Sequence, residues 1–280
     1  MVLVTGATSG LGLATAGRLA ASGSTVIIHG PSQETVTAAR IALALMNPSS
    51  DFHEAVADFS SQAEVRALAA DIQDRFSRLD VLVNNAATVF DEQALSRDGI
   101  ERTFAVNHLA PYLLTRQLLP AIERSDQGRI VIVASEAHRN AVWDIDGFDG
   151  PDSYDRFDTY ARSKLANLLF NAELARRLED SSVTTNAVHP GTVRTRLFRP
   201  RNAVERVVMP ILDLRGAAPE VAADGIAWLA DSHDMSGRTG GYYHKQKPVE
   251  PSPAASDEQN AFELWKLSAE LTDLPWGLTQ

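Results

Sequence analysis

Apolar positions along this chain alternate between two spacings. Strand candidates lie near residues 2–5, 25–28, 52–56, 80–83, 129–134, 183–188 and 240–243. Val2-Leu3-Val4, Val81-Leu82-Val83 and Ile130-Val131-Ile132-Val133 are typical, and continuous apolar character marks strands buried on both faces. Between them the apolar residues take up helical spacing, first from Leu11 to about Ala21 and at greatest length over about 98–124 and 158–180. Strand and helix in alternation predict a parallel sheet covered by helices on both sides. No repeat or linker breaks the pattern before Lys247-Pro248-Val249-Glu250-Pro251-Ser252-Pro253, which reads as a surface crossing to a final helix. The expectation is a single α/β domain over residues 1–280.

Two places on that pattern carry chemistry. The first strand runs into Thr5-Gly6-Ala7-Thr8-Ser9-Gly10-Leu11-Gly12 and directly on into a helix. Strand, glycine turn and helix in this order let the backbone approach a pyrophosphate, whose charge is favoured at a helix N-terminus. The spacing is Gly-x-x-x-Gly-x-Gly, and a plain strand-to-helix turn is the alternative. The second place is Tyr160 and Lys164, four residues apart on one face of the 158–180 helix. A phenol titrates near ~10, and a neighbouring ammonium is expected to lower that value and make the hydroxyl usable as a general acid or base. Taken alone, the same spacing also describes an ordinary solvated helix surface. Ala161, Leu165, Leu168 and Ala172 form an apolar stripe beside the pair, which is therefore expected at the edge of the buried face.

Composition removes several classes of function. Apolar residues make up 44% of the chain, enough for a sizeable core. The net charge is −10 with no basic cluster, which argues against a nucleic-acid partner. Cysteine is absent, which removes disulfides, thiol catalysis and Cys-based metal sites. No apolar span approaches the ~20 residues needed to cross a bilayer. With a strand beginning at Val2 no leader is expected either, so the reading is a cytoplasmic protein without a membrane anchor. Asp144-Ile145-Asp146-Gly147-Phe148-Asp149-Gly150-Pro151-Asp152 invites a calcium-loop reading. Its sixth position, which needs Gly, is Asp149, so a solvated acidic loop and no metal are expected.

Together with further segments in order, these motifs resemble the short-chain dehydrogenase/reductase family along nearly the whole chain. Asn84-Asn85-Ala86-Ala87 is similar to its Asn-Asn-Ala-Gly segment, with Ala87 in place of the usual Gly. Asp58 stands where the family contacts adenine, Asn107 matches its helix asparagine, Ser135 its catalytic serine, and Pro190-Gly191 the turn beside the nicotinamide. Val106-Asn107-His108-Leu109, Ser135-Glu136-Ala137-His138-Arg139, His189-Pro190-Gly191-Thr192-Val193-Arg194-Thr195 and Leu264-Trp265-Lys266-Leu267-Ser268 resemble its retinol-dehydrogenase-like branch.

The resemblance implies a doubly wound Rossmann-type sheet of seven parallel strands in the order 3-2-1-4-5-6-7. It also implies hydride transfer between a nicotinamide cofactor and a small-molecule carbonyl/alcohol pair. Its catalytic set would be Asn107, Ser135, Tyr160 and Lys164. Tyr160 would exchange the proton and Ser135 polarise the oxygen, while Lys164 would tune Tyr160 and reach the ribose, with Asn107 linking a proton relay. The implied cofactor residues are Gly6, Thr8, Ser9, Gly10, Leu11, Gly12, Gly30, Ser32, Asp58, Phe59, Asn85, Ala86, Ala87, Pro190, Gly191 and Val193, with Tyr160 and Lys164 again. An ordinary strand-end serine at Ser135 and a within-helix hydrogen bond at Asn107 are the plainer alternatives.

Strand two ends at Ile28-His29-Gly30-Pro31-Ser32, without the acidic residue usual in NAD enzymes and without the Arg that NADP relatives carry at Pro31. Gly30 and Ser32 still offer donors to a phosphate, so NADP is expected and NAD is the alternative; His29 reads as a packing or hydrogen-bonding residue. Substrate loops are implied at about 136–158, where Trp143, Phe148, Tyr154 and Phe157 offer an apolar wall, and at about 192–217, with Phe198, Val204, Val207, Val208, Met209, Ile211 and Leu212. A C-terminal extension covers about 245–280. These linings suggest an aliphatic, aromatic or isoprenoid-like aldehyde, ketone or alcohol. Leu109, Tyr112, Leu113, Leu118, Leu165, Leu169, Phe170 and Leu174 suggest a homodimer through the two long helices, unless the insertion or the C-terminal helix shields them. The rival readings are a sugar-nucleotide epimerase or dehydratase, a cysteine-dependent protochlorophyllide reductase, and a nucleotide-sensing protein without turnover.

Overall fold

The computed structural model describes residues 1–146, 154–193 and 216–278. Strands β1 (Val2–Val4), β2 (Val26–Gly30), β3 (Phe52–Val56), β4 (Val81–Asn84), β5 (Arg129–Val133), β6 (Thr184–Val188) and β7 (Tyr242–His244) pair in parallel in the order β3-β2-β1-β4-β5-β6-β7. The seven strands take the expected order. An eighth, β8 (Lys247–Pro248), adds antiparallel to β7 and begins the stretch read from the sequence as a surface crossing. The chain turns back through Lys245 and Gln246, both with positive φ (47° and 63°). This two-residue reversal lacks the Asn-Gly signature that would have marked it, and a two-residue strand shows no period.

Side chains of the sheet alternate between two cores. Leu3, Ile27, Leu82, Ile130 and Ile132 face one; Val2, Val4, Val26, Ile28, Val81 and Val83 face the other. Helices α1 (Gly10–Ala21), α2 (Gln33–Met46) and α7 (Pro219–Asp231) cover the second face. Helices α3 (Gln62–Arg75), α5 (Ala110–Ile122), α6 (Arg156–Arg177) and α8 (Glu258–Leu271) build the first core. Starts are set by local chemistry: Ser32, Ser61, Asp155 and Asp257 each accept from first-turn N–H groups of α2, α3, α6 and α8. Ahead of α5, a short α4 (Arg102–Phe104) passes through a π-helical turn at Ala105–Leu109, which contains Asn107. Such turns recur at functional sites.

Two readings of the helix faces need correction. Ala172 is exposed, and Glu173 takes the buried place beside it, paired with Arg176 at 2.6 Å and Arg177 at 2.7 Å. The eight apolar residues read as a dimer face are all buried within the one chain. Trp265 of α8 packs edge-on against Tyr112 of α5 at 5.1 Å and stacks near Phe170 of α6 at 6.1 Å. The C-terminal helix thus lies where a second subunit was expected.

Candidate active site

The strand order reverses between β1 and β4, and in such sheets ligands bind in the crevice at the strand C-termini beside that point. A cavity of about 1720 Å³ opens there. That exceeds the ~300–1,000 Å³ of a usual small-ligand pocket and leaves room for a dinucleotide with a second molecule beside it. Gly6, Thr8, Ser9, Gly10, Leu11, Gly12, Asp58, Phe59, Asn85, Ala86, Ala87, Ser135, Tyr160, Lys164, Pro190, Gly191 and Val193 line it. Gly30, Ser32 and Asn107 are not part of the wall.

The cofactor side is a cradle made by close backbone approach. Gly6 has φ +63° and presses on Ala86, whose Cα would lie 2.8 Å from an added Cβ. At Gly12 an added Cβ would fall 2.2 Å from the Gly6 carbonyl oxygen and 2.5 Å from Asn85 Nδ2. Only glycine lets α1 start this close to the strand ends. Thr5 Oγ accepts from the N–H groups of Asn85 (2.9 Å) and Ala86 (3.0 Å), and Asn85 Nδ2 donates to the Thr5 carbonyl at 2.8 Å. His29 ties in the neighbouring strands: Nδ1 accepts from the Gly6 N–H at 3.3 Å, so Nε2 carries the proton and donates to the Ala57 carbonyl at 3.1 Å. Burial pulls its pKa down to about 4, against the hydrogen bond to Ala57, and keeps the ring neutral. Ser9 precedes α1 without capping it, leaving first-turn N–H groups turned to the cavity. This is a fitting seat for a pyrophosphate. Gly30 is occupied differently: an added Cβ would meet the Thr8 methyl at 2.2 Å. Ser32 is engaged as the α2 cap, sharing a 3.0 Å contact with Thr35 Oγ1.

Across the cavity, Ser135 follows β5 and caps a 3-10 turn at Glu136–Asn140, accepting from the Ala137 N–H at 3.2 Å. Tyr160, which α6 presents with only 8% exposure, lies close enough to Ser135 for the serine side chain to favour its ionised form. One turn on, Lys164 is 2% exposed; its Nζ donates to the Val133 carbonyl at 2.9 Å and stands 5.6 Å from the Tyr160 ring centre. The expected lowering of the phenol is reversed here. Burial pushes Tyr160 up to about 12, with the Ser135 hydrogen bond opposing, and pulls the Lys164 ammonium down to about 8. Desolvation of the two buried groups sets the direction at both. Asn107 lies behind the wall: Oδ1 accepts from the Thr88 N–H at 2.8 Å, and Nδ2 donates to the Thr88 carbonyl (2.9 Å) and Ser163 Oγ (3.1 Å).

Several wall residues were not singled out from the sequence. His189 Nε2 meets Glu136 at 3.2 Å, and its ring lies parallel to that of His244 at 4.1 Å. Burial first, and His244 next, pull His189 down to about 4 against the pull of Glu136. Glu136 and His189 flank Ser135 and Pro190 in the motif stretches, whereas His244 ends β7 and is set beside His189 by the parallel pairing of β7 with β6. Of the aromatic wall, Phe157 lines the cavity, Tyr154 donates to the Phe90 carbonyl at 2.8 Å, and Trp143 packs on the first core. Phe148, most of the acidic loop and the apolar residues of the 192–217 loop, from Phe198 to Leu212, lie outside the described residues. Among the described residues no cluster of His, Asp or Glu converges as a metal site, and no helix is long and apolar enough to cross a membrane.

Comparison with known proteins agrees with this geometry. Residues 1–206 match the family described as short chain dehydrogenase. Retinol dehydrogenase 14 of Homo sapiens is 37% identical over 290 residues, covering 98% of this chain and 86% of that protein. The crystal structure of an uncharacterized protein from Mycobacterium Paratuberculosis superposes with a TM-score of 0.79 at 30% identity, over 98% of this chain and 94% of that one. A metagenomic short-chain oxidoreductase in complex with NADP superposes with a TM-score of 0.63 at 26% identity, over 84% and 93%. The chain belongs to the short-chain dehydrogenase/reductase family, on its retinol-dehydrogenase-like branch. It is an NAD(P)-dependent oxidoreductase acting on alcohol and carbonyl groups.

Proposed function

We propose that this enzyme interconverts an apolar aldehyde or ketone with its alcohol, using NADP in preference to NAD, at Ser135, Tyr160 and Lys164. The observation that carries the reading is that Ser135 and Tyr160 line one cavity side by side, with the buried ammonium of Lys164 one helical turn behind. The bound nicotinamide supplies or accepts the hydride at the substrate carbon. Ser135 Oγ fixes the substrate oxygen beside the phenol. With a pKa near 12, Tyr160 is protonated at neutral pH, the form that donates to the oxygen during reduction. The Lys164 charge then steadies the phenolate that remains, since opposite charge favours the ionised form. Asn107, its amide saturated by Thr88 and Ser163, serves as a positioning residue for the wall segment Ala87-Thr88.

The NADP preference is supported by the absence of a carboxylate at Pro31, which lines the cavity beside the N-terminus of α2, where a phosphate is favoured. Substitution Pro31→Asp should weaken NADPH binding and favour NADH by like-charge repulsion. Fluorescence titrations in which the wild type binds NADH more tightly would end the NADP preference. The apolar substrate is supported by the wall residues Val89 and Phe157 and by the likeness to a retinol dehydrogenase. Following NADPH and NADH oxidation with a panel of aldehydes and ketones tests it: turnover confined to charged or sugar substrates would refute it. We read the chain as one domain and, because α8 occupies the α5–α6 face, as a monomer.

A further inference from the structure

One cation in the cavity wall is uncommitted. Arg102 opens α4 and lines the cavity. Its guanidinium carbon lies 4.2 Å from the centre of the Phe90 ring, and its Nε is buried without a hydrogen-bond partner. Among the described residues no ion pair or hydrogen bond reaches the rest of the side chain. The carboxylates of the same wall are already taken: Asp58 by Arg97 at 3.5 Å, Asp91 by Arg156 at 2.5 Å, and Glu136 by Arg139 and by His189 at 3.2 Å. Lys164, the other basic side chain of the wall, gives its hydrogen bond to Val133. A half-buried guanidinium forfeits hydration without recompense unless an anion completes it.

The position suits that role. Phe90 provides a flat face that fixes the planar fork while leaving its donors free. The Arg102 charge also reaches Asp58, just beyond the end of β3. The Asp58 carboxyl is held below its ordinary value because hydrogen bonds from Ser60 and the charges of Arg97 and Arg102 outweigh burial. Arg102 therefore stands on the dinucleotide side of the cavity in a chain whose net charge is −10. Its sequence context, Glu101-Arg102-Thr103-Phe104, gives no hint of this.

We propose that Arg102 is a receptor for a phosphate group of the nicotinamide dinucleotide. The inference rests on the cavity holding that cofactor and not on the NADP preference. A guanidinium–phosphate contact is charge-assisted and often bidentate.

The test is equilibrium titration of NADPH, NADH and adenosine 2′,5′-bisphosphate against wild type, Arg102→Met and Arg102→Lys, at low and high salt, with thermal unfolding to establish that each variant is folded. Loss of the charge should weaken NADPH binding by ~10-fold or more and flatten its salt dependence, and Lys should recover part of the affinity. A loss confined to NADPH and the bisphosphate assigns the 2′-phosphate; an equal loss for NADH assigns the pyrophosphate. If Arg102→Met fails to fold, Arg102→Gln carries the same expectation. Unchanged affinity for all three ligands in a folded variant overturns the proposal. A wild type that prefers NADH removes the NADP preference and leaves the proposal to be decided by the NADH arm.

Discussion

Trp265 offers the sharpest test of how the helical layer closes. Its side chain is 1% exposed, packed against Tyr112 and Phe170, with the guanidinium carbons of Arg177 and Arg116 at 4.3 and 5.0 Å from its ring. Its indole N–H donates to the Trp276 carbonyl at 2.8 Å, which pins the chain beyond α8 as well. Truncating a buried tryptophan to alanine costs ~3–5 kcal/mol, and two cation–π contacts at ~0.5–1 kcal/mol each put this site toward the upper end. For a chain of this size ~2–4 °C per kcal/mol corresponds to a fall in Tm of roughly 10–15 °C. The same change uncovers the apolar faces of α5 and α6, so the variant should also self-associate. Urea denaturation followed by circular dichroism measures the first effect, and light scattering at micromolar concentration the second. Wild type should scatter at the chain mass of 30.4 kDa without concentration dependence. A loss below ~1 kcal/mol, or a wild type that scatters at twice the chain mass, would refute the assignment of α8 as the cover of that face.

Two further outcomes follow from the site. Gly12→Ala should abolish NADPH binding while leaving the far-ultraviolet spectrum intact, because the added methyl would fall 2.2 Å from the Gly6 carbonyl oxygen; binding within threefold of wild type would show that the cradle can open. His29 and His108 are buried neutral, pulled down by burial from 6.5 to about 4 and about 3. Their contribution is complete above pH 6.5 and lost as pH falls toward 4, with His29 alone worth ~3 kcal/mol over that gap. Urea midpoints that stay flat from pH 7 to 4 would contradict neutral burial.

The central strands were legible because they are buried on both faces and therefore read as unbroken apolar runs, as in Val2-Leu3-Val4, Val81-Leu82-Val83 and Ile130-Val131-Ile132-Val133. The glycine turn was legible for a related reason: the crowding at Gly12 tolerates no side chain, so the residue type is forced. Residues whose significance depends on their surroundings were not legible. His29 reads as any strand-end histidine until Gly6 and Ala57 are seen on its two nitrogens. Arg102 reads as an ordinary helix-start cation until its neighbours prove to be paired elsewhere. His244 is seen beside His189 only once β7 is paired with β6, and the dimer face could not be assigned before α8 was seen lying on it. The phenol was misjudged because spacing reports the nearby ammonium and not the burial that outweighs it.

The central claim is that Tyr160 exchanges the proton while its hydroxyl is not needed to hold the cofactor, and Tyr160→Phe separates the two. The substitution removes one hydroxyl and keeps the ring that α6 buries. On a confirmed carbonyl substrate kcat should fall by ~10²–10⁴-fold, the usual contribution of a positioned general acid, with the NADPH dissociation constant within about twofold of wild type. A phenylalanine variant that keeps more than about a tenth of wild-type kcat would contradict the account.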